Sequence, residues 1–302
     1  MKGAGIDVGS NNIRFLAAEI EGGRVRRVLA EDSEITRLGA NIAATGELSG
    51  EGIVKSLSVL PRFKRKLDEL GIRRIKAVAT SAIRESSNGA CFAEEVIKLG
   101  IPLEIISADE EARYTALGVL SALDTPPGDM LIYDIGGGST EFIAVREGRV
   151  DFTASVDVGV VKLADKFGFN KPVSEEGLVA CENYVSELLS PVFSKFPQGS
   201  VLCGTAGAVT TAAAMSLGLE NYNARLVSEY ILTKGDLERL ISIAAPLTSE
   251  GRLELRGLQK GREDLIIAGL ILIKTILTGF GCADSLVSDY GLREGLAIDS
   301  VS

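Results

Sequence analysis

The chain contains no histidine. That removes Ser-His-Asp triads, Cys-His pairs, zinc deaminase and zincin sites, and any His-Asp metal hydrolase domain. General acid–base work then falls to Asp, Glu, Lys, Tyr or Cys. Tryptophan is absent and aromatics are 5% of residues, so no basic–aromatic surface for single-stranded nucleic acid is present. Positive charge is also short. The formal net charge is −9, which repels nucleic acid and anionic membrane surfaces. A polyanionic ligand would need a local basic site or a metal ion. No Cys-x-x-Cys occurs, and the four cysteines at 91, 181, 203 and 282 are widely spaced. They read as structural free thiols rather than a zinc site or redox pair. The longest apolar run, Leu265 to Ile273, is about half a membrane span. Asp7 interrupts any signal-peptide core. A cytoplasmic protein with no membrane or nucleic-acid partner is expected. No Walker A sequence occurs, and Gly3-Ala-Gly5 precedes no helix, so no dinucleotide fingerprint is present.

What the chain has in quantity is apolar residues, 46%, and 34 glycines. This is a well-filled α/β composition, and 302 residues predict about two domains. The most informative stretch is Leu131-Ile-Tyr-Asp-Ile-Gly-Gly-Gly-Ser-Thr-Glu141. It reads as a buried strand ending near Asp134, a glycine turn, then a second strand. Successive N–H groups in such a turn make an anion-binding concavity. An adjacent aspartate can hold Mg²⁺ through oxygen.

The same pattern occurs earlier. Asp7-Val-Gly-Ser-Asn-Asn-Ile-Arg-Phe-Leu-Ala17 lies against Asp134 to Ala144 at one fixed offset, with Asp, Gly, Phe and Ala in register. A glycine turn and a basic strand start follow each, at Gly23-Arg24 and Gly148-Arg149. This duplication predicts two similar domains whose loops flank one cleft. Thr125-Pro-Pro-Gly128 is the strongest break, so the domains are placed at 1–124 and 125–302, with a last helix at about 291–302 that can pack back on the first.

Other elements are expected as follows. Leu48 to Leu70 has helical spacing, Thr80 to Ser87 reads as a polar loop, and Ser107-Ala-Asp-Glu110 is a capping box that opens a helix to about Leu123. Val201 to Gly207 runs from strand through a glycine loop into a helix, a third possible phosphate contact. Leu265 to Thr278 is almost wholly apolar and therefore a buried helix.

Three anion-binding turns now suggest a phosphate chain held with Mg²⁺. Asp7 and Asp134 are the natural metal-side carboxylates. Asp109, Glu110 and Glu111 lie in one helix's first turn, where dipole complementarity alone accounts for acidic residues. A general base for water could be Glu110 or Glu111; periodicity does not choose. Arg84 could neutralise a phosphate bidentately. The basic runs Arg62 to Lys76 and Arg252 to Arg262 read as solvated helix faces.

These residues together resemble the exopolyphosphatase / guanosine pentaphosphate phosphohydrolase (Ppx/GppA) family. The resemblance rests on Asp7 to Asn12, Arg37-Leu-Gly39 with Thr45-Gly46, Thr80 to Arg84, Glu110-Glu-Ala-Arg113, Asp134 to Glu141, Gly204-Thr-Ala-Gly207 and Gly291-Leu-Arg-Glu-Gly295. It implies an α/β fold of two actin-like (ASKHA, ribonuclease H-like) domains around a central cleft. It implies Mg²⁺-dependent removal of a terminal phosphate from polyphosphate or guanosine pentaphosphate. Glu111 would be the catalytic glutamate and Arg84 the phosphate-contacting arginine. Ser10, Asn11, Gly136, Gly137, Gly138, Ser139, Gly204 and Thr205 would bind phosphate. Asp134, Asp7 and Glu141 would serve the metal. A non-catalytic regulator and an ATP-dependent kinase are alternatives within the same superfamily, and a homodimer is compatible with the reading. Longer members carry a C-terminal His-Asp-type domain, so the resemblance is to the short form. Val227-Ser-Glu229 stands where many members have Val-His-Gly.

Overall fold

The computed structural model describes residues 1–40, 42–123, 127–196, 200–228 and 230–302. It divides into two compact units, Met1–Thr125 with Tyr290–Ser302, and Pro126–Asp289. The junction expected at 124/125 lies outside the described residues.

In the first unit, β1 (Lys2–Val8), β2 (Asn12–Glu21) and β3 (Arg24–Ile35) are followed by α1 (Ile42–Thr45) and α2 (Gly50–Glu69). Next come β4 (Ile75–Ala79), α3 (Ser81–Glu85), α4 (Gly89–Lys98), β5 (Leu103–Ile105) and α5 (Ala108–Ala122). The sheet order is β3-β2-β1-β4-β5. The first three strands are antiparallel, whereas β1, β4 and β5 are parallel.

Period-two alternation sorts the strand residues between two cores. Ile13, Phe15 and Ala17 of β2 join Val59, Leu60, Phe63 and Leu67 of α2. Leu16, Ala18 and Ile20 point the other way, onto Ala297, Ile298 and Val301 near the C-terminus. Ala297 and Ile298 belong to the chain's last helix, which packs on β1. Gly3 and Gly5 explain how it fits: a Cβ on Gly5 would meet Leu296 Cβ at 2.7 Å and one on Gly3 would meet Ala297 O at 2.7 Å. The Gly-Ala-Gly that makes no dinucleotide motif is therefore a seat for a helix. The helix α2 keeps its basic residues in solvent, with Arg62 near Asp32 and Lys64 on Asp68, as its amphipathic spacing requires.

The second unit comprises β6 (Asp129–Ile135), β7 (Thr140–Arg146), β8 (Arg149–Val156), α6 (Val160–Phe167), α7 (Glu175–Phe193), β9 (Val201–Thr205) and α8 (Ala206–Ser216). It continues with α9 (Ala224–Val227), β10 (Ile231–Thr233), α10 (Lys234–Ala244), α11 (Ser249–Arg252), α12 (Ile266–Gly279) and β11 (Asp284–Val287). The closing helix, α13 (Leu292–Asp299), belongs to the first unit. The sheet order is β10-β11-β9-β6-β7-β8. Apart from β10, this repeats the first sheet: three antiparallel strands, then parallel strands on the far side of the first. The β2–β3 turn has Gly22 and Gly23 at φ 58° and 71°, and the β7–β8 turn has Glu147 and Gly148 at 49° and 73°. Positive φ at both central residues is the hairpin turn that matches strand twist.

Three features differ from expectation. Thr80 to Ser87 is not a loop throughout, because Ser81–Glu85 forms α3. The helices α6, of 8 residues, and α7, of 19, form where no element was expected. The run Arg252 to Arg262 is not a solvated helix face: α11 ends at Arg252, which is fully buried. The all-round apolar α12 is buried, as a helix without a polar face must be. Cys181 and Cys203 are buried, and burial pushes both thiols up to about 12, while Cys91 is exposed.

One cap gives a pH-dependent prediction. Asp236 begins α10 in a capping box with Thr233. Burial opposes its charge, but hydroxyls of Ser216 and Thr233 outweigh that, and its pKa falls to about 2. A depressed folded-state pKa stabilises fully above the unfolded value of about 4 and is lost as pH falls towards the folded one. Asp236→Ala should therefore lower stability by about 1 kcal/mol at pH 7. In urea melts, the gap from wild type should close between about pH 4 and 2. A gap independent of pH would exclude the carboxylate as its source.

Candidate active site

Parallel strands place their carboxyl ends on one side of a sheet, where α/β proteins bind ligands. In the first unit, the segments leaving those ends are Asp7 to Asn11 after β1, Thr80 to Arg84 after β4, and Ile106 to Glu111 after β5. The Ser10 and Ser81 hydroxyl oxygens are 3.3 Å apart and buried. Gly39 N–H donates to Ser10 O at 2.7 Å.

The helix start at Ser107 separates the two glutamates. Glu110 Oε2 accepts from Ser107 N–H at 2.9 Å and from Ser107 Oγ at 2.8 Å, and Ser107 Oγ accepts from Glu110 N–H at 3.2 Å. The Ser107 N–H holds the Glu110 carboxyl below its ordinary range. Glu110 is thus the cap. Glu111, one residue on, is rotated away and buried. Its Oε2 lies 3.3 Å from Arg84 Nη1, which also donates to Ile106 O at 2.9 Å. The carbonyl at the end of β5 fixes the arginine, and the arginine fixes Glu111.

The duplicated aspartates have different partners. Asp7 pairs with Arg14 across β1 and β2, and Asp134 pairs with Glu141 across β6 and β7. Asp7 Oδ2 accepts from Arg14 Nη2 at 2.6 Å and Nε at 3.1 Å. A metal role for Asp7 would have to run through Oδ1. In the second unit the arginine position is a glutamate, so two buried carboxylates stand side by side. The row extends across the sheet: Thr205 pairs with Asp134, and Glu141 with Ser155. Ser155 Oγ donates to Glu141 Oε1 at 2.9 Å.

Asp134 and Glu141 suit a hard cation that keeps most of its ligands as water and phosphate oxygen. Mg²⁺ is commonly held by one or two carboxylates in this way. Among the described residues no group of three or more His, Cys, Asp or Glu could hold a metal.

The glycine turn is held from behind. Gly136 N–H donates to Ser139 O at 2.9 Å, Val160 N–H to Gly136 O at 3.0 Å and Val161 N–H to Gly137 O at 2.9 Å. Thr140 Oγ1 donates to Val158 O at 2.6 Å. A Cβ on Gly159 would lie 2.5 Å from Gly137 C, so the start of α6 can touch the turn only as glycine. At the third loop, Ser288 N–H donates to Gly204 O at 2.9 Å. Ala206 has φ 68° as the chain turns from β9 into α8, a strained backbone for a residue with a Cβ. Sequence reasoning missed Arg14, Ser155 and Gly159. The Arg14/Glu141 mismatch within the repeat was a readable signal, whereas Ser155 and Gly159 carry no motif of their own.

The Ppx/GppA phosphatase family model matches residues 17–302. An Aquifex aeolicus Ppx/GppA family member has a similar structure, with TM-score 0.84, 32% identity and coverage of 100% of this chain and 97% of that one. Exopolyphosphatase 2 of Mycobacterium tuberculosis is 28% identical over 98% of this chain and 97% of its own length. The bifunctional 3-dehydroquinate synthase/phosphatase of Fusobacterium nucleatum is 30% identical over 99% of this chain. This chain spans about half of that relative, 46% of its length. The two units have the actin-like α/β fold, and the chain belongs to the Ppx/GppA phosphatase family. Among the described residues no helix is long and apolar enough to cross a membrane.

Proposed function

We propose that the protein is a Mg²⁺-dependent phosphohydrolase that removes the terminal phosphoryl group of inorganic polyphosphate or guanosine pentaphosphate. The observation that carries this reading is the Glu111–Arg84 pair, 3.3 Å apart at the carboxyl ends of parallel strands. A buried carboxyl beside a guanidinium is placed to accept a proton from water. The guanidinium offers further N–H donors to a phosphate. Phosphoryl transfer needs positioning and charge neutralisation more than covalent help, which suits a chain without histidine.

Glu111 would take the proton of the attacking water. Arg84 would orient Glu111 and hold phosphate oxygens. In the first unit Ser10 and Asn11 would bind phosphate, and in the second the turns Gly136 to Ser139 and Gly204–Thr205 would. Asp134 and Glu141 would hold Mg²⁺, which when bound would neutralise phosphate charge. Support comes from the family membership and from the exopolyphosphatase name of a relative that this chain spans almost fully.

The test is phosphate release from polyphosphate, guanosine pentaphosphate and ATP, with Mg²⁺ and with chelator. Release from either of the first two that stops with chelator is the expected result. Phosphate moved only from ATP to an acceptor would mean a kinase. Tight binding without release would mean a regulator.

A further inference from the structure

Thr36 to Gly39 wraps the Ser10–Asn11 turn. Thr36 and Arg37 N–H groups both donate to Asn11 O, at 2.9 and 2.8 Å, and Gly39 N–H donates to Ser10 O. The corner forces Arg37 to φ 53°, the left-handed region that glycine and asparagine enter with least strain. The side chain at this position is nonetheless a long, exposed arginine. A protein of net charge −9 that takes a polyanion needs local positive charge, and here one is maintained against the backbone's preference. The neighbouring Thr36 and Asn11 are buried, and Thr36 Oγ1 and Asn11 Oδ1 have no hydrogen-bond partner. The two residues extend the β2–β3 pairing from Asn12 and Ile35, so their side chains share one face. Buried polar groups without partners are costly unless a ligand or water completes them.

We infer that the Thr36–Arg37 corner is a further phosphate subsite, in which Arg37 binds a phosphoryl group beyond the one held at the Ser10–Asn11 turn. The Thr36 hydroxyl would donate to a phosphate oxygen there, whereas Asn11 Oδ1 only accepts and would be completed by a water. Arg37 thereby sets the preference for substrates with several linked phosphates. This rests on the proposed phosphohydrolase reading.

The test uses Arg37→Gly and Arg37→Asn, which both accept the left-handed backbone, and Arg37→Lys, which keeps the charge. The expected KM for polyphosphate rises about tenfold in the first two, with kcat moving much less. The slope of log KM against log salt should flatten by about 0.7–1. Melting temperatures of the Gly and Asn variants should equal or exceed wild type, and Lys should recover part of the affinity. A KM within twofold of wild type in the Gly and Asn variants overturns the subsite, and a fall in their melting temperature would then mark Arg37 as structural. Wild-type protein that releases no phosphate overturns the proposed function instead. Calorimetry with inorganic tripolyphosphate then decides the subsite alone: weaker binding in Arg37→Gly sustains it, and equal binding or none in both proteins rejects it.

Discussion

In Glu111→Gln, kcat for phosphate release is expected to fall about a thousandfold, the middle of the range for loss of a general base. KM should change little. Gln keeps the size of the side chain and an oxygen for Arg84 Nη1, so melting temperature should hold. The informative control is the neighbour. Glu110 is committed to the Ser107 cap, and Gln can serve in a capping box. Glu110→Gln should keep kcat within about twofold of wild type, since general-base catalysis is not asked of it. If Glu110→Gln loses turnover and Glu111→Gln retains it, the assignment is reversed. Equal, small effects in both would remove the glutamate-base mechanism altogether.

The largest expected effect on stability is at Arg252. Its side chain is fully buried, and its guanidinium donates to the carbonyls of Ala244 at 3.0 Å, Glu263 at 3.0 Å, Lys171 at 2.9 Å and Phe169. Burial pushes its pKa down, yet an arginine remains charged. It fastens the end of α10, the segment after α6 and the stretch before α12. Arg252→Met would keep much of the volume but take the guanidinium donors from four buried or part-buried carbonyls, of which Ala244 O keeps the Leu247 N–H at 3.2 Å. Each such group costs about 1–3 kcal/mol, partly relieved by water, so a loss of about 4 kcal/mol is expected. That corresponds to a melting shift on the order of 10 °C for a unit of this size. Arg256, in the same run, pairs with Glu220 at 3.4 Å with both side chains more than two-thirds exposed. Arg256→Ala should change stability by less than about 0.5 kcal/mol. Differential scanning calorimetry of both variants checks the contrast. An unshifted Arg252→Met transition would mean that the carbonyls find other donors.

Much of the architecture was legible because it is local or repeated. The strand–turn–strand pattern at Asp7 and Asp134 needs only neighbouring residues, and both copies form with the same cross-strand pairing. The Ser107 capping box spans three residues and forms as read. The apolar α12 is buried because no polar face is available. What failed to read locally was decided elsewhere. Ser81–Glu85 is polar enough for a loop, but Ala82 and Ile83 bury into the core of the first unit and fix a helical turn. Arg252 looks like any surface arginine in a basic run. The carbonyls that capture it include Phe169 and Lys171, about eighty residues earlier.

The sequence by itself determined the two repeated strand–turn–strand units, the third glycine turn and the acidic helix start. Each follows from short-range periodicity, turn chemistry or duplication. The capping box already gave Glu110 its partner, but only the tertiary structure set Glu111 against Arg84, because that arginine is 27 residues away and its side chain is aimed by a carbonyl at the end of β5. Likewise, the repeat predicted two equivalent aspartates, while the strand pairing made them unlike. Arg14 pairs with Asp7, and Glu141 sets a second carboxyl beside Asp134. The register is the same in both copies; what differs is the residue it sets opposite each aspartate, Arg14 in one and Glu141 in the other.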